Sequence, residues 1–226
     1  MAASLTPNHA RLEALYEVSR ALTSSLDLGE ALLIVIDAAI RLTGAERGFL
    51  MLCDPDTGAL DFRAARTAEH ETIDESAFEV SRTVVTEVIH TGDPVVTLNA
   101  QKDPRFVDKT SIVNYLLRSI MAVPLRARGR LLGVLYVDSR TRDVVFSSGD
   151  LDLLNTFADQ AATAIVNAQL FEAQKRDAEV RHVLLEIARM AQAASTIAEL
   201  AERLVAALPG WTGCERCCLF LGDPQT

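Results

Sequence analysis

The sequence lacks the features that mark secreted, membrane-spanning or nucleic-acid-binding chains. Its first residues have neither the charged nor the apolar region of a signal peptide, and no apolar run approaches the roughly 20 residues that cross a bilayer. Lys and Arg number 22 against 31 Asp and Glu, which gives a net charge of −9. An acidic surface without a long basic run repels nucleic acid. We therefore expect a cytoplasmic chain with no nucleic-acid partner and no membrane contact.

Cysteines and the short motifs of common enzyme classes are also scarce. Only four cysteines occur, and Cys214, Cys217 and Cys218 lie together near the end of the sequence, far from Cys53. That spacing defines no disulfide framework, and no second Cys or His pair completes a tetrahedral metal site. Glycine-rich phosphate loops, nucleophile elbows and paired-histidine zinc motifs are missing as well. We therefore expect no metal, no cofactor and no catalytic residues in this chain.

Apolar side chains, in contrast, make up 49% of the sequence and suffice for a buried core. From Leu12 to Leu26 they recur every three or four residues, which predicts an amphipathic helix. Asp27 and Glu30 then form a capping-box pattern, which predicts a second helix that runs to Leu42 and stops before Gly44.

Patterns of strands and tight turns occupy the middle of the sequence. Asp54–Gly58 contains the Pro and Gly that tight turns favour, so the apolar runs on either side predict a hairpin. Arg126–Gly129 separates two further apolar runs in the same way. The elements predicted here are strands at Arg47–Cys53, Leu60–Arg66, Pro94–Leu98, Ser119–Leu125 and Arg130–Asp138, and a helix at Ser81–His90.

The pattern after Ser147 predicts one long helix, because an N-cap sequence is followed by no Gly or Pro before Pro209. Its first part has apolar residues in steps of three and four, which is the spacing of a coiled-coil seam. We expect this seam to cover part of its own sheet and, together with the first helix, to join two chains in a homodimer. The residues assigned to the dimer interface are Leu12, Leu15, Leu22, Leu151, Leu154, Ala158, Ala161 and Ile165.

The end of the sequence repeats its beginning. An offset of 169 residues aligns Tyr16–Thr57 with Leu185–Thr226 without a gap, and 13 of the 42 pairs are identical. The identities include the helix stops Thr43-Gly44 and Thr212-Gly213, which amphipathic spacing alone does not produce. The repeat stops after its first strand, and a lone strand is not stable as a domain. We therefore expect a truncated second copy of the same domain.

Three stretches, Thr43–Leu50, Ser119–Leu125 and Gly133–Asp138, together resemble the GAF family of sensory domains. The resemblance covers residues 8–175, with a partial second copy from residue 181. It implies an α/β (α+β) fold, a GAF-like antiparallel sheet flanked by helices on both faces, with a long C-terminal linker helix. Residues 1–175 would be a complete sensory domain, and residues 176–226 would hold the linker helix and the start of the second repeat.

The resemblance also implies a small-molecule pocket on the sheet face opposite the terminal helices. It would be bounded by the first strand, the loop that begins near Asn99 and the strand that begins at Ser119. Strand alternation indicates that Phe49 and Met51 share one face, as do Ser119 and Met121 on their own strand, but it leaves the pocket face open. The ligand-binding residues that the resemblance implies are Phe49, Met51, Asn99, Phe106, Ser119 and Met121.

The ligands typical of GAF domains match this sequence poorly. Cyclic-nucleotide-binding members carry an Asn-Lys, Phe, Asp-Glu signature, whereas here Asp108-Lys109 stands where the acidic pair is expected. Neither His70, His90 nor Cys53 lies in a motif that attaches a tetrapyrrole. Reduction of oxidised methionine needs several neighbouring thiols, and the complete domain has Cys53 alone. The sequence therefore does not identify the ligand.

The sequence as a whole predicts a regulatory sensor of a bacterial signalling protein. A small molecule or a partner would shift the pocket between two arrangements, and dimeric terminal helices would convey the change to a downstream output domain such as a histidine kinase. The alternative is a dimerisation and spacer module that binds no ligand, because its own side chains fill the pocket. Any catalysis would belong to the output domain.

Overall fold

A computed structural model describes residues 27–54, 57–74, 79–97, 99–101, 103–105, 117–140 and 146–219. The first predicted helix, with Leu12, Leu15 and Leu22, lies outside these residues, and so does Phe106. The elements are α1 (Leu28–Thr43), β1 (Arg47–Cys53), β2 (Leu60–Thr67), α2 (Arg82–Thr91), β3 (Val95–Thr97), β4 (Ser119–Ala127), β5 (Arg130–Ser139), α3 (Ser148–Ala193) and α4 (Ile197–Thr212).

The chain divides into two compact units, one that ends at Leu170 and one that begins at Phe171. Within the first unit, the strands form one antiparallel sheet with the order β2-β1-β5-β4-β3. Both hairpins expected from turn residues are present, and Arg128 and Gly129 supply the positive φ angles between β4 and β5. Sheet and helices confirm the mixed α/β fold.

The register of the central strands decides which side chains share a face of the sheet. Phe49 of β1 lies opposite Tyr136 of β5, and the next residue along, Leu50, lies opposite Leu135. Because alternate residues of a strand point to opposite faces, these two pairs belong to different apolar cores. The first pair lies in the core beneath α2, and the second lies in the core beneath α1 and α3. We call the two sides the α2 face and the α1–α3 face.

The first part of α3 lies on the α1–α3 face, where it covers the sheet. Leu154, Ala158, Ala161 and Ile165 are each 0% exposed, and Leu151 packs against the same core. This corrects the assignment of the four fully buried residues to a dimer interface, since a side chain without exposed surface in its own unit cannot contact a second chain. Leu151 is only partly buried, so its assignment stays a prediction. The apolar side of α3 packs on the sheet of its own unit, and its small alanines let the helix approach the strands closely.

Local capping sequences fix the ends of the helices. The Asp27 carboxylate accepts a hydrogen bond from the backbone N–H of Glu30 at 2.8 Å, and Ser147 and Asp150 bond reciprocally at the start of α3. Gly44 follows α1 with φ of 68°, a left-handed conformation that other residues adopt only at a cost. The predicted caps of these helices are therefore confirmed.

The second unit contains the distal part of α3 and α4. The indole N–H of Trp211 donates a hydrogen bond to the Glu186 carboxylate at 2.9 Å. Helix α4 has the same length as α1, 16 residues, with a side-chain N-cap at Thr196 and a left-handed Gly213 after its last residue. The local features of the predicted repeat therefore recur in α4.

The strand expected after α4 is not formed in residues 213–219, and the rest of that stretch lies outside the described residues. A strand needs a neighbour to satisfy its backbone hydrogen bonds, and this unit offers none in the part described. Across the described residues, no helix has both the length and the apolarity that crossing a bilayer requires.

Candidate functional site

A cavity of about 270 Å³ lies on the α2 face, between α2 and the β1–β2 end of the sheet. The pairing of β1 with β2 is irregular between Leu50 and Met51, so that Met51 lies opposite Phe62 beside the cavity. One face of α2 forms the facing wall. The lining residues are Met51, Leu60, Phe62, Val80, Arg82, Val85, Thr86 and Ile89.

The lining of this cavity is apolar inside and polar at the rim. Met51 is 0% exposed and Val85 is 5% exposed, so both belong to the interior, whereas Arg82 and Thr86 are exposed. Ligand sites commonly combine an apolar body with a few polar groups that orient the ligand. The cavity therefore suits a small, mainly apolar molecule with one polar or anionic group.

The structure brings only some of the predicted ligand-binding residues together. Phe49 and Met51 both lie in the core of the α2 face, and Met51 lines the cavity. Met121 lies in the core of the α1–α3 face, because it pairs with Val137 in a row one residue removed from that of Phe49. Ser119 is buried and lies two residues before Met121 on β4, so alternation gives it the same side.

The shared pocket predicted for all of these residues is therefore wrong for Ser119 and Met121, which face away from Phe49 and Met51. Asn99 is exposed and does not line the cavity. Phe106 lies outside the described residues, so its assignment stays a prediction. Whether the cavity binds a ligand also stays a prediction.

Sequence reasoning missed the wall that α2 contributes. Arg82, Val85, Thr86 and Ile89 lie at helical steps of three, one and three residues, which places them on one side of a helix. That spacing was available in the sequence. The sequence did not show on which face of the sheet α2 packs, or at which edge of the sheet the cavity lies.

A buried polar cluster anchors the start of α2 to the sheet. The Arg47 guanidinium binds the Asp138 carboxylate with two hydrogen bonds of 2.8 and 2.6 Å, and it also donates to the backbone carbonyl of Glu79 at 3.2 Å. The backbone N–H of Ser81, the N-cap of α2, donates to the Tyr136 hydroxyl at 3.4 Å. We call Arg47, Glu79, Ser81, Tyr136 and Asp138 the anchor cluster.

Burial dominates the protonation of the anchor cluster. It raises the pKa of the Tyr136 hydroxyl well above its ordinary value, and the Asp138 carboxylate reinforces the shift. Burial also raises the pKa of the Asp138 carboxyl, although hydrogen bonding and charge from Arg47 work in the opposite direction. The Asp138 side chain is 0% exposed, and its charge is stabilised by the hydrogen-bonded Arg47 and also by the charge of Arg140.

We expect Arg47→Met to destabilise the domain by about 3–5 kcal/mol at pH 7, because a buried carboxylate loses the cation that is hydrogen-bonded to it and keeps only the charge of Arg140. The loss should shrink as the pH falls. The folded-state pKa of Asp138 is raised and rises further without Arg47, so protonation below that value removes the buried charge in the folded state. Urea unfolding at pH 5 and pH 7 measures this difference.

The double variant Arg47→Met/Asp138→Asn is the matched control, since it carries no titratable group at this position. Its free energy of unfolding should not recover between pH 7 and pH 5 in the way that of Arg47→Met does. An equal loss for Arg47→Met at both pH values would show that the charge of Asp138 does not limit stability.

The arrangement defines a class of protein. An antiparallel sheet carries two helices on one face and a helix-walled cavity on the other, which defines a mixed α/β domain with one covered and one cavity-bearing face. The sequence profile of the GAF domain matches residues 27–165, and the chain belongs to the GAF family.

Relatives of the chain include larger signalling and regulatory proteins. It is 27% identical over 184 residues to the probable 3',5'-cyclic phosphodiesterase pde-5 of Caenorhabditis elegans, a match that covers 76% of this chain and 25% of that protein. It is 30% identical over 134 residues to the Nif-specific regulatory protein of Azospirillum lipoferum, covering 58% and 21% of the two chains. The chain thus spans about a quarter or less of these relatives.

Solved structures agree with the fold. The GAF domain from a phosphoenolpyruvate-protein phosphotransferase of Coxiella burnetii superposes with a TM-score of 0.58 at 17% sequence identity, covering 74% of this chain and 99% of that one. At this identity the likeness shows the fold alone.

Proposed function

We propose that this GAF domain is a cytoplasmic sensory module that binds a small molecule in the cavity beside α2. The bound state changes the position of α2 relative to the sheet, and α3 conveys the change to a downstream output domain such as a histidine kinase. The domain itself regulates and does not catalyse. The observation that carries the proposal is the cavity of about 270 Å³, which the side chains of the described residues leave unfilled.

The rim of the cavity indicates the chemistry of the ligand. Arg82 and Thr86 stand at the rim, one turn apart on α2, above an apolar interior that includes Met51 and Val85. A guanidinium binds a carboxylate in a planar, two-point geometry, and a hydroxyl can bond to the same group. A small apolar monocarboxylate therefore fits the cavity better than a large polar nucleotide does.

The contacts of the sheet supply a physical route from the cavity to α3. Met51 lines the cavity, and its neighbours Leu50 and Leu52 point to the other face of β1, into the core that holds α3. The anchor cluster ties the start of α2 to β1 and β5. A ligand that binds one position of α2 more tightly than another shifts this arrangement by its difference in affinity.

The proposal also includes a homodimer, but its interface is a different surface of α3 from the one predicted from the sequence. In the second unit, Ala173, Asp177, Val180 and Leu184 of α3 are exposed and lie in steps of four, three and four residues. We call them the outer stripe. This is heptad spacing, and Val180 and Leu184 are 55% and 60% exposed.

Charges beside the outer stripe favour a parallel pair of α3 helices. Asp177 is polar at a core position, and Arg176 and Arg181 flank it at the edge positions of the heptad. In a parallel, in-register pair, Asp177 of each chain lies next to Arg176 of the other. The two charges can then pair across the interface.

We expect Thr86→Trp to abolish ligand binding with little effect on the free protein. The indole would fill the rim of the cavity, whereas exposed substitutions usually change stability by no more than about 0.5 kcal/mol. A set of small apolar monocarboxylates is screened by thermal shift, in which a ligand at 100 times its Kd stabilises the fold by about 2.7 kcal/mol. The variant should lose that stabilisation.

Thr83→Trp is the matched control, because Thr83 lies on α2 but not among the lining residues. It should keep the thermal shift. Replacing the carboxylate of a hit by an amide tests the part that Arg82 plays. A hit that binds Thr86→Trp and the unmodified chain equally would place its site elsewhere, and no hit from the set would favour the spacer module.

A further inference from the structure

A pair of thiols lies directly after α4. Gly213 has a left-handed φ of 70°, and it turns the chain so that Cys214 and Cys217 face each other with their sulfur atoms 2.8 Å apart. The Cys214 sulfur also lies 2.7 Å from the Thr212 hydroxyl oxygen. Both thiols are partly exposed, and Cys218 is exposed beside them.

We propose that Cys214 and Cys217 form a redox-active dithiol, which a hydroperoxide oxidises to a reversible intrachain disulfide. The two sulfur atoms are only about 0.8 Å farther apart than the 2.03–2.05 Å of a disulfide bond, so that bond needs little movement of the chain. Residues 213–219 belong to no helix or strand, so the bond breaks no regular backbone hydrogen bonds there.

The surroundings of the pair give the two thiols different roles. The hydrogen bond from Cys217, and then the contact with Thr212, lower the pKa of Cys214, while the same bond raises the pKa of Cys217. A thiolate is the nucleophile in thiol oxidation, so Cys214 attacks and Cys217 resolves. Cys53 serves as an internal comparison, since burial raises its pKa.

The reaction balances with one equivalent of peroxide. The Cys214 thiolate attacks one oxygen of the hydroperoxide, the O–O bond breaks, and the leaving hydroxide or alkoxide takes a proton. Cys214 is then a sulfenic acid, and Cys217 attacks its sulfur, so that the S–O bond breaks and water leaves with the Cys217 proton. Two thiols and hydrogen peroxide thus give one disulfide and two waters.

The thiol pair does not belong to the cavity, and it is not part of the pattern that identifies the GAF family. Under the offset of 169 residues, Cys214, Cys217 and Cys218 align with Ala45, Gly48 and Phe49, which carry no thiol. Among the described residues, no group of three His, Cys, Asp or Glu side chains could hold a metal ion.

The test is peptide mapping of the full 226-residue chain after treatment with hydrogen peroxide in the presence of a chelator. Trypsin cuts after Arg203 and Arg216, which separates Cys214 in residues 204–216 from Cys217 and Cys218 in residues 217–226. Remaining thiols are alkylated before digestion. The Cys214–Cys217 bond links the two peptides, and it should form at least about tenfold faster than Cys53 is oxidised.

Four variants decide which sulfur atoms react. Cys214→Ser and Cys217→Ser should remove the linked peptide, whereas Cys218→Ser and Cys53→Ser should retain it, and dithiothreitol should reverse it. A Cys217–Cys218 bond within residues 217–226, linked chains joined through Cys218, or equal oxidation rates at Cys214 and Cys53 would each overturn the proposal. None of these outcomes bears on ligand binding by the cavity.

Discussion

Leu154→Glu and Leu184→Glu should give opposite results, although both replace a leucine of the same helix by a carboxylate. Leu154 is 0% exposed in the core of the α1–α3 face, so its replacement buries a charge without a partner and costs several kcal/mol. We expect that variant to lose its cooperative unfolding transition. Leu184 is 60% exposed, so the Leu184→Glu domain should fold with unchanged stability and sediment as a monomer.

Leu185→Glu is the matched control for this comparison. Leu185 is 54% exposed on the same helix, but it lies outside the outer stripe. Sedimentation velocity should show a dimer for the unmodified chain and for Leu185→Glu, and a monomer for Leu184→Glu. A dimer that survives Leu184→Glu, or that Leu185→Glu breaks equally well, would remove the outer stripe as the interface.

Gly133→Ala should prevent the first unit from folding. A Cβ atom at Gly133 would lie 1.9 Å from the backbone carbonyl oxygen of Met51 and 2.9 Å from the Cα of Leu52. Those atoms belong to the neighbouring strand, so the clash is relieved only by separating β1 from β5 at the centre of the sheet. We expect a loss of more than about 4 kcal/mol, read from urea unfolding or from insoluble expression.

Gly149→Ala tests whether any added methyl group has this effect. Gly149 lies in the first turn of α3, and the nearest atom to its added Cβ is the Ser147 hydroxyl oxygen at 3.6 Å. Alanine forms helices better than glycine by up to about 1 kcal/mol, so this variant should be as stable as the unmodified chain or more so. A folded Gly133→Ala domain of normal stability would contradict the register of β1 and β5.

Local signals in the sequence were sufficient for the described helices and strands of the first unit, from α1 onward. Each of these signals acts over a few residues, so it can be recognised without knowledge of the tertiary structure. Examples are the cap at Asp27, the left-handed glycine at position 44 and the turn at Arg128-Gly129. The hairpins and the boundaries of the strands followed from them. The GAF resemblance supplied the arrangement of the sheet, and the match over residues 27–165 confirms the family.

The residues that line the candidate site were harder to predict from the sequence, because they depend on the register between strands that are distant in sequence. Alternation correctly paired Phe49 with Met51, but it could not relate β1 to β4. The intervening strand β5 sets that relation, and it places Ala122, and not Met121, in the row of Phe49. A shift of one residue moves a side chain to the other face.

The prediction that Leu154, Ala158, Ala161 and Ile165 form a dimer interface failed for a related physical reason. Heptad spacing indicates an apolar side of a helix, but it does not say whether a sheet or a second helix covers that side. The sheet is what covers Leu154 and Ile165. The outer stripe was harder to recognise, because Asp177 interrupts its apolar pattern.

The proposed function depends on binding of a ligand in the cavity beside α2. Methyl NMR of the 226-residue chain tests it most directly, with an apolar monocarboxylate from the thermal-shift screen as the titrant. We expect the methyl signals of Met51, Val85 and Ile89 to shift together with one Kd. Saturable shifts confined to Leu154, Ile165 and their neighbours on the α1–α3 face, with the three cavity methyls unmoved, would contradict it.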